Sequence, residues 1–233
     1  MNRHLRSIAC LLLALLVATP LVAAPPPGGN PVALLSKVIL DVLRKESGKT
    51  WEKASRGQTL ASGDMVRTGE GALAIIKFKD NSLVRLREKS ELTLTGTQTG
   101  NTMSKSVEVQ TGVVGFNVAK QRAGEEFRFT SPTSVASIRG TAGVMNSASD
   151  ADTLTVTEGL VKLFNRISSR TVDVGAGFTG ISGKTGDLQS RATTERERQA
   201  ALDAMRDDAR RRLDIELRNP QGKTNRLKIE FID

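Results

Sequence analysis

The chain has 233 residues, 38% hydrophobic, with 34 Lys and Arg against 25 Asp and Glu and a net charge of +9. It has one His and one Cys, His4 and Cys10, and no Tyr. If both belong to a removable leader, the rest of the chain lacks disulfides, thiol or imidazole metal ligands and Ser-His-Asp or Cys-His nucleophiles. We therefore expect no enzyme: no catalytic, cofactor-binding or metal-binding residues, and no cofactor.

Arg3 and Arg6 precede an apolar run over 8–17, and Pro20 and Leu21-Val22-Ala23-Ala24 follow it. A basic start, a short apolar run and small residues at its end predict a signal peptide over 1–24. The run is shorter than the ~20 residues of a membrane span. No later stretch replaces it, so no transmembrane helix is expected after signal removal. The expected location is the periplasm, or secretion to the cell surface. Pro25-Pro26-Pro27-Gly28-Gly29 opens an extended linker over 25–35.

Over 36–187 the dominant period is two. Ala72, Ala74, Ile76 and Phe78 share one face, with Leu73, Ile75, Lys77 and Lys79 on the other. Val114/Phe116/Val118, Phe127/Phe129, Leu154/Val156 and Val161/Leu163 repeat the pattern, separated by Gly, Asn, Asp and Ser. Many short strands predict an all-β domain, either a twisted antiparallel sandwich or a solenoid-like stack. The tail, 188–233, changes character. Its Glu, Arg, Ala and Leu predict a helix over 192–218 with Thr193 or Thr194 as N-cap. Leu202, Met205, Ala209 and Leu213 form a narrow apolar stripe on it, a candidate partner contact. Asp207–Arg211, Asp208–Arg212 and Asp214–Arg218 are spaced as i,i+4 ion pairs. Asn219-Pro220 ends the helix, and Leu227, Ile229 and Phe231 alternate as a terminal strand.

The run Gly57-Gln58-Thr59-Leu60-Ala61-Ser62-Gly63-Asp64-Met65-Val66-Arg67-Thr68-Gly69 resembles the opening of a FecR-type domain. Phe78-Lys79-Asp80-Asn81-Ser82-Leu83-Val84-Arg85-Leu86, Gly112-Val113-Val114, Val135-Ala136-Ser137-Ile138-Arg139-Gly140-Thr141 and Val156-Thr157-Glu158-Gly159 continue the likeness. The resemblance implies a non-catalytic all-β domain outside the cytoplasmic membrane. In the namesake regulators this domain relays a signal from an outer-membrane receptor to a cytoplasmic anti-sigma segment. Only six residues precede the apolar run here, so the expectation is a stand-alone version without that segment. Gly57, Gly63-Asp64, Asp80-Asn81-Ser82 and Gly140-Thr141 read as turns of this fold.

Several residue patterns have plainer roles. Gly69-Glu70-Gly71-Ala72-Leu73-Ala74 fits a dinucleotide fingerprint, but an alternating strand follows where a helix is required. Asp150-Ala151-Asp152 offers carboxylates to a Ca²⁺ but no further acidic residue at useful spacing, and Ser147-Ala148-Ser149-Asp150 reads as a polar hairpin tip. Glu125-Glu126, or Asp64 with Glu70, are the carboxylates of a weaker alternative, a hydrolase. Trp51 suits a partly buried core position. Lys77, Lys79, Arg85, Arg87 and Lys89 lie on two adjacent strands as a candidate basic patch. With few aromatics to stack bases, an anionic envelope glycan or lipid is the second partner class, and nucleic acid is not expected. The leading expectation is an exported interaction module that binds another envelope protein in signal sensing or regulation.

Overall fold

A computed structural model describes residues 31–218 and 224–232, with side chains to residue 209. The expected signal peptide, the first part of the linker and the 219–222 breaker lie outside the described residues.

The strands form two layers. One is ordered β4 (Thr59–Ala61), β1 (Pro31–Ile39), β6 (Leu73–Phe78), β7 (Leu83–Leu86), β9 (Thr102–Val118), β12 (Thr141–Ser147), β13 (Ala151–Glu158), β16 (Phe178–Gly183) and β17 (Leu188–Ala192). The other is ordered β3 (Trp51–Lys53), β2 (Val42–Lys45), β5 (Met65–Thr68), β8 (Glu91–Thr99), β9, β10 (Phe127–Thr130), β11 (Ser134–Ile138), β14 (Leu160–Asn165) and β15 (Arg170–Gly175). Hairpins lie within a layer and the chain crosses between layers from one to the next; paired strands of the sandwich are antiparallel except for β9 and β10. The 17-residue β9 belongs to both layers. Its first part pairs with β8 and β10, its last part with β7 and β12. It turns between them at Gly112, whose φ is +89° and whose missing Cβ leaves room for Ser90.

One core fills the space between the layers. Phe78 meets Phe127 edge to face at 4.9 Å, and Phe116 meets Phe129 at 4.7 Å. Ala72, Ala74, Ile76 and Phe78 point inward as the period-two pattern predicts. The arrangement is a sandwich. Its strands overrun the expected boundaries: β1 begins inside the 25–35 linker, and β17 extends the first layer past residue 187.

The tail departs most from the sequence reading. The helix α1 spans Glu195–Ala204 only, with a capping box between Thr194 and Glu197. Residues expected to continue it form β18 (Arg210–Arg218), antiparallel to β19 (Thr224–Ile232). The terminal strand is thus present but pairs within a separate hairpin. No helix among the described residues is long and apolar enough to cross a membrane.

Candidate functional site

The helix stops at Ala204 because the sandwich captures the chain that follows. Arg85 donates from Nε to Asp207 Oδ1 at 2.6 Å. Arg87 Nη1 donates to the carbonyls of Arg206 and Asp208, both at 3.1 Å, and Lys37 Nζ donates to the Asp207 carbonyl at 2.7 Å. These donors hold 206–208 in a non-helical course across the outer face of β1, β6 and β7. Ala209 then buries against Leu73 and Ile75, flanked by Ile39 and Leu83. Ala201 and Ala204 bury against Val144, with Val113 and Met205 alongside. The Ala204 carbonyl lies so close to Gly115 that a Cβ there would stand 2.4 Å from its oxygen. The outer, apolar side of β6, unexplained by a solvated strand face, is the seat of this strap.

This geometry separates the predicted stripe. Met205 and Ala209 face the chain's own sandwich. Leu202 is exposed, and Leu213 lies on β18 opposite Ile229, no longer in helical register with the others. Of the acids in the expected i,i+4 pairs, Asp207 takes Arg85 and Asp208 takes Arg206, while the side chains of Arg211, Arg212, Asp214 and Arg218 lie outside the described ones. The Arg206 guanidinium beside it holds the Asp208 carboxyl below its ordinary value.

The basic patch divides in the same way. Arg85 is 7% exposed and, with Arg87, binds the strap. Lys89 sits in a turn with φ +52°, 3.5 Å from Glu70. Lys77 and Lys79 are exposed. The five side chains therefore do not form one continuous cationic surface.

Two of the carboxylates weighed for hydrolysis, Asp64 and Glu126, hold structural partners. Asp64 is buried and accepts from Arg44, from the Ser47 N–H and from the Ala61 N–H, which closes its own turn as expected. Glu126 pairs with Arg128. Asp152 is 1% exposed and accepts from Ser131, Thr133, Ser134, Ser147 and Lys184. Burial pushes its carboxyl up, but the Lys184 ammonium and these hydroxyls outweigh it and leave the group below its ordinary value. Asp80 behaves alike, with burial opposed by Lys105, Gln121 and the Ser82 N–H. A general acid needs the opposite shift. Trp51 is half-buried, its ring covered by the Arg67 guanidinium at 4.4 Å. The Asp152 cage was missed in the sequence because its members come from three hairpins.

Residues 64–162 match the family described as FecR protein. No curated protein matches. The solved structures that resemble the chain include two crystal structures of a putative anti-sigma factor from Parabacteroides distasonis ATCC 8503. Each is 14% identical and covers 58% of this chain, with TM-scores of 0.50 and 0.49. The chain spans 62% and 63% of the length of those two.

Proposed function

We propose that the protein, whose residues 64–162 match the FecR family, is an exported, non-catalytic module of the bacterial envelope that binds another envelope protein in a signal-sensing or regulatory role. The leader pattern of residues 1–24 supports export. The observation that carries the binding role is the β18–β19 hairpin. It is a two-stranded sheet paired only with itself among the described residues. Isolated hairpins are marginal in water, so this one calls for a partner. In its register, positions 213, 215 and 217 lie opposite 229, 227 and 225. Leu213, Ile215, Leu217, Leu227, Ile229 and Phe231 therefore fall on one side of the ribbon, the pattern of strands that bury one face. The hairpin replaces the helical stripe as the docking element, and of that stripe Leu202 on α1 is exposed.

The test is site-specific photo-crosslinking in cells at positions 215 and 229, with position 162 on β14 as reference. The expected result is one cross-linked envelope protein from the hairpin positions and none from 162. Equal labelling at all three positions, or none from the hairpin, would overturn the assignment.

A further inference from the structure

At one end of the sandwich the β6–β7 turn, the β8–β9 hairpin and the loop after β9 enclose an open polar groove of about 490 Å³. Its charged lining is Lys79, Asp80, Lys105, Lys120, Arg122 and Glu125. Two of these neutralise each other. Lys105, only 5% exposed, donates to Asp80 Oδ2 at 2.5 Å, and Gln121 Nε2 donates to the same oxygen at 2.9 Å. Asp80 is thereby fixed as the counterion of a buried ammonium and is not left to oppose the rim. Lys79, Lys120 and Arg122 are exposed. Among the described residues, none of the three has a carboxylate within ion-pairing distance. The chain thus brings three unneutralised cations to one concavity from two loops separated by about forty residues of sequence.

We propose that this groove binds a small anionic sugar, independently of the hairpin's role. Cations converging on a concavity attract a compact anion, and the planar Arg122 fork suits a carboxylate or phosphate. The rest of the lining suits sugar hydroxyls: the amides of Gln98 and Asn101 offer donors and acceptors, and half-buried Glu125 offers an acceptor. That acceptor would repel a bare phosphate or a densely charged chain. No aromatic side chain lines the groove, which removes the stacking surface a nucleobase needs. The volume lies within the usual range for small-ligand sites. The cation that the expected patch contributes here is Lys79, while Arg85 and Arg87 belong to the strap.

The test is calorimetric titration of the full chain with digalacturonate, glucose 1-phosphate, inorganic phosphate and maltose. We expect at least one charged sugar to bind, more weakly as salt is raised. Binding should fall about tenfold in Lys120→Gln and again in Arg122→Gln, with Lys162→Gln unchanged. Circular dichroism checks that each variant is folded. Binding of digalacturonate alone identifies a carboxylate sugar, and binding of glucose 1-phosphate alone a phosphate sugar. The proposal is overturned if neither charged sugar binds at millimolar concentration, if maltose or inorganic phosphate binds as tightly as either, or if Lys120→Gln and Arg122→Gln bind as the parent does.

Discussion

Gly115→Ala tests whether the strap is a built contact. Gly115 sits on β9 opposite Arg85 and Val144. A Cβ added there would stand 2.4 Å from the Ala204 carbonyl oxygen and 3.0 Å from its carbon, where real Cβ contacts essentially never fall below 3.0 Å. The end of α1 must therefore retreat by at least 0.6 Å, the difference between those two distances. The backbone atoms involved cannot swing aside as a side-chain tip would. Retreat lengthens the 2.6 Å bond from Arg85 to Asp207 three residues on. That bond matters because Arg85 is nearly buried and, among the described residues, its Nη1 has no hydrogen-bond partner at all. Overpacking of this kind costs about 1–3 kcal/mol. At about 1.4 kcal/mol per tenfold change in an equilibrium, backbone amides of 196–205 should exchange with deuterium roughly 5- to 150-fold faster. Gly175→Ala is the control, since its nearest atom, Leu160 Cδ1, lies 3.9 Å away and leaves room for the methyl. Unchanged exchange over 196–205 in Gly115→Ala would refute the close seating of the helix.

Asp152→Asn should destabilise the sandwich by about 3–5 kcal/mol, because the amide nitrogen meets donors on every side and Lys184 loses its counterion. For a chain of this size the melting midpoint should fall by about 6–20 °C, read by thermal denaturation; a change below that range would mean the cage is not tightly held. The helix cap should also be acid-sensitive. The Arg191 guanidinium, joined by the Thr194 N–H and hydroxyl, holds the Glu197 carboxyl down to about 2 from 4.5. A lowered carboxyl contributes its full stability above the unfolded value and loses it as pH falls toward the folded one. Protection of α1 should therefore hold down to pH 4.5 and decline between there and about 2. Arg191→Gln should flatten that decline in an exchange measurement at several pH values.

The sandwich was legible because its strands obey local rules. Burial alternates along β10 and β14, the inward residues of β6, β9 and β13 keep the same period although part of their other face is buried too, and the turns between them carry Gly, Asn or Asp. The layer order was not legible, because it depends on pairings distant in sequence. β9 serves both layers by bending at Gly112, and β10 joins it in parallel. Nothing in the local pattern distinguishes that arrangement from a row of hairpins. Burial of Asp152 was hidden for the same reason: its hydroxyl donors Ser131, Thr133 and Ser134 look like ordinary turn residues until β13 passes beneath them.

The tail was misread for a different physical reason. In Arg210-Arg211-Arg212-Leu213-Asp214-Ile215-Glu216-Leu217-Arg218 the apolar residues alternate, a period-two signal that competes with the three- and four-residue spacing of Leu202, Met205, Ala209 and Leu213. Good helix formers and charge spacing favoured the helix locally. Tertiary contacts decide against it, since Lys37, Arg85 and Arg87 take the carbonyls and carboxylate of 206–208 that a continuing helix would use internally. The same contacts explain why a strand-by-strand count of cations misjudged the basic patch. Arg85 and Arg87 alternate on β7 and beyond it like solvent-facing residues, yet their charge is directed at the strap. Among the described residues the loop cations Lys79, Lys120 and Arg122 are left without a carboxylate in ion-pairing distance, because no tail segment is directed at them as it is at Arg85 and Arg87. The location of a cation in the fold, more than the density of charge along the sequence, decides which side chains are available to a ligand.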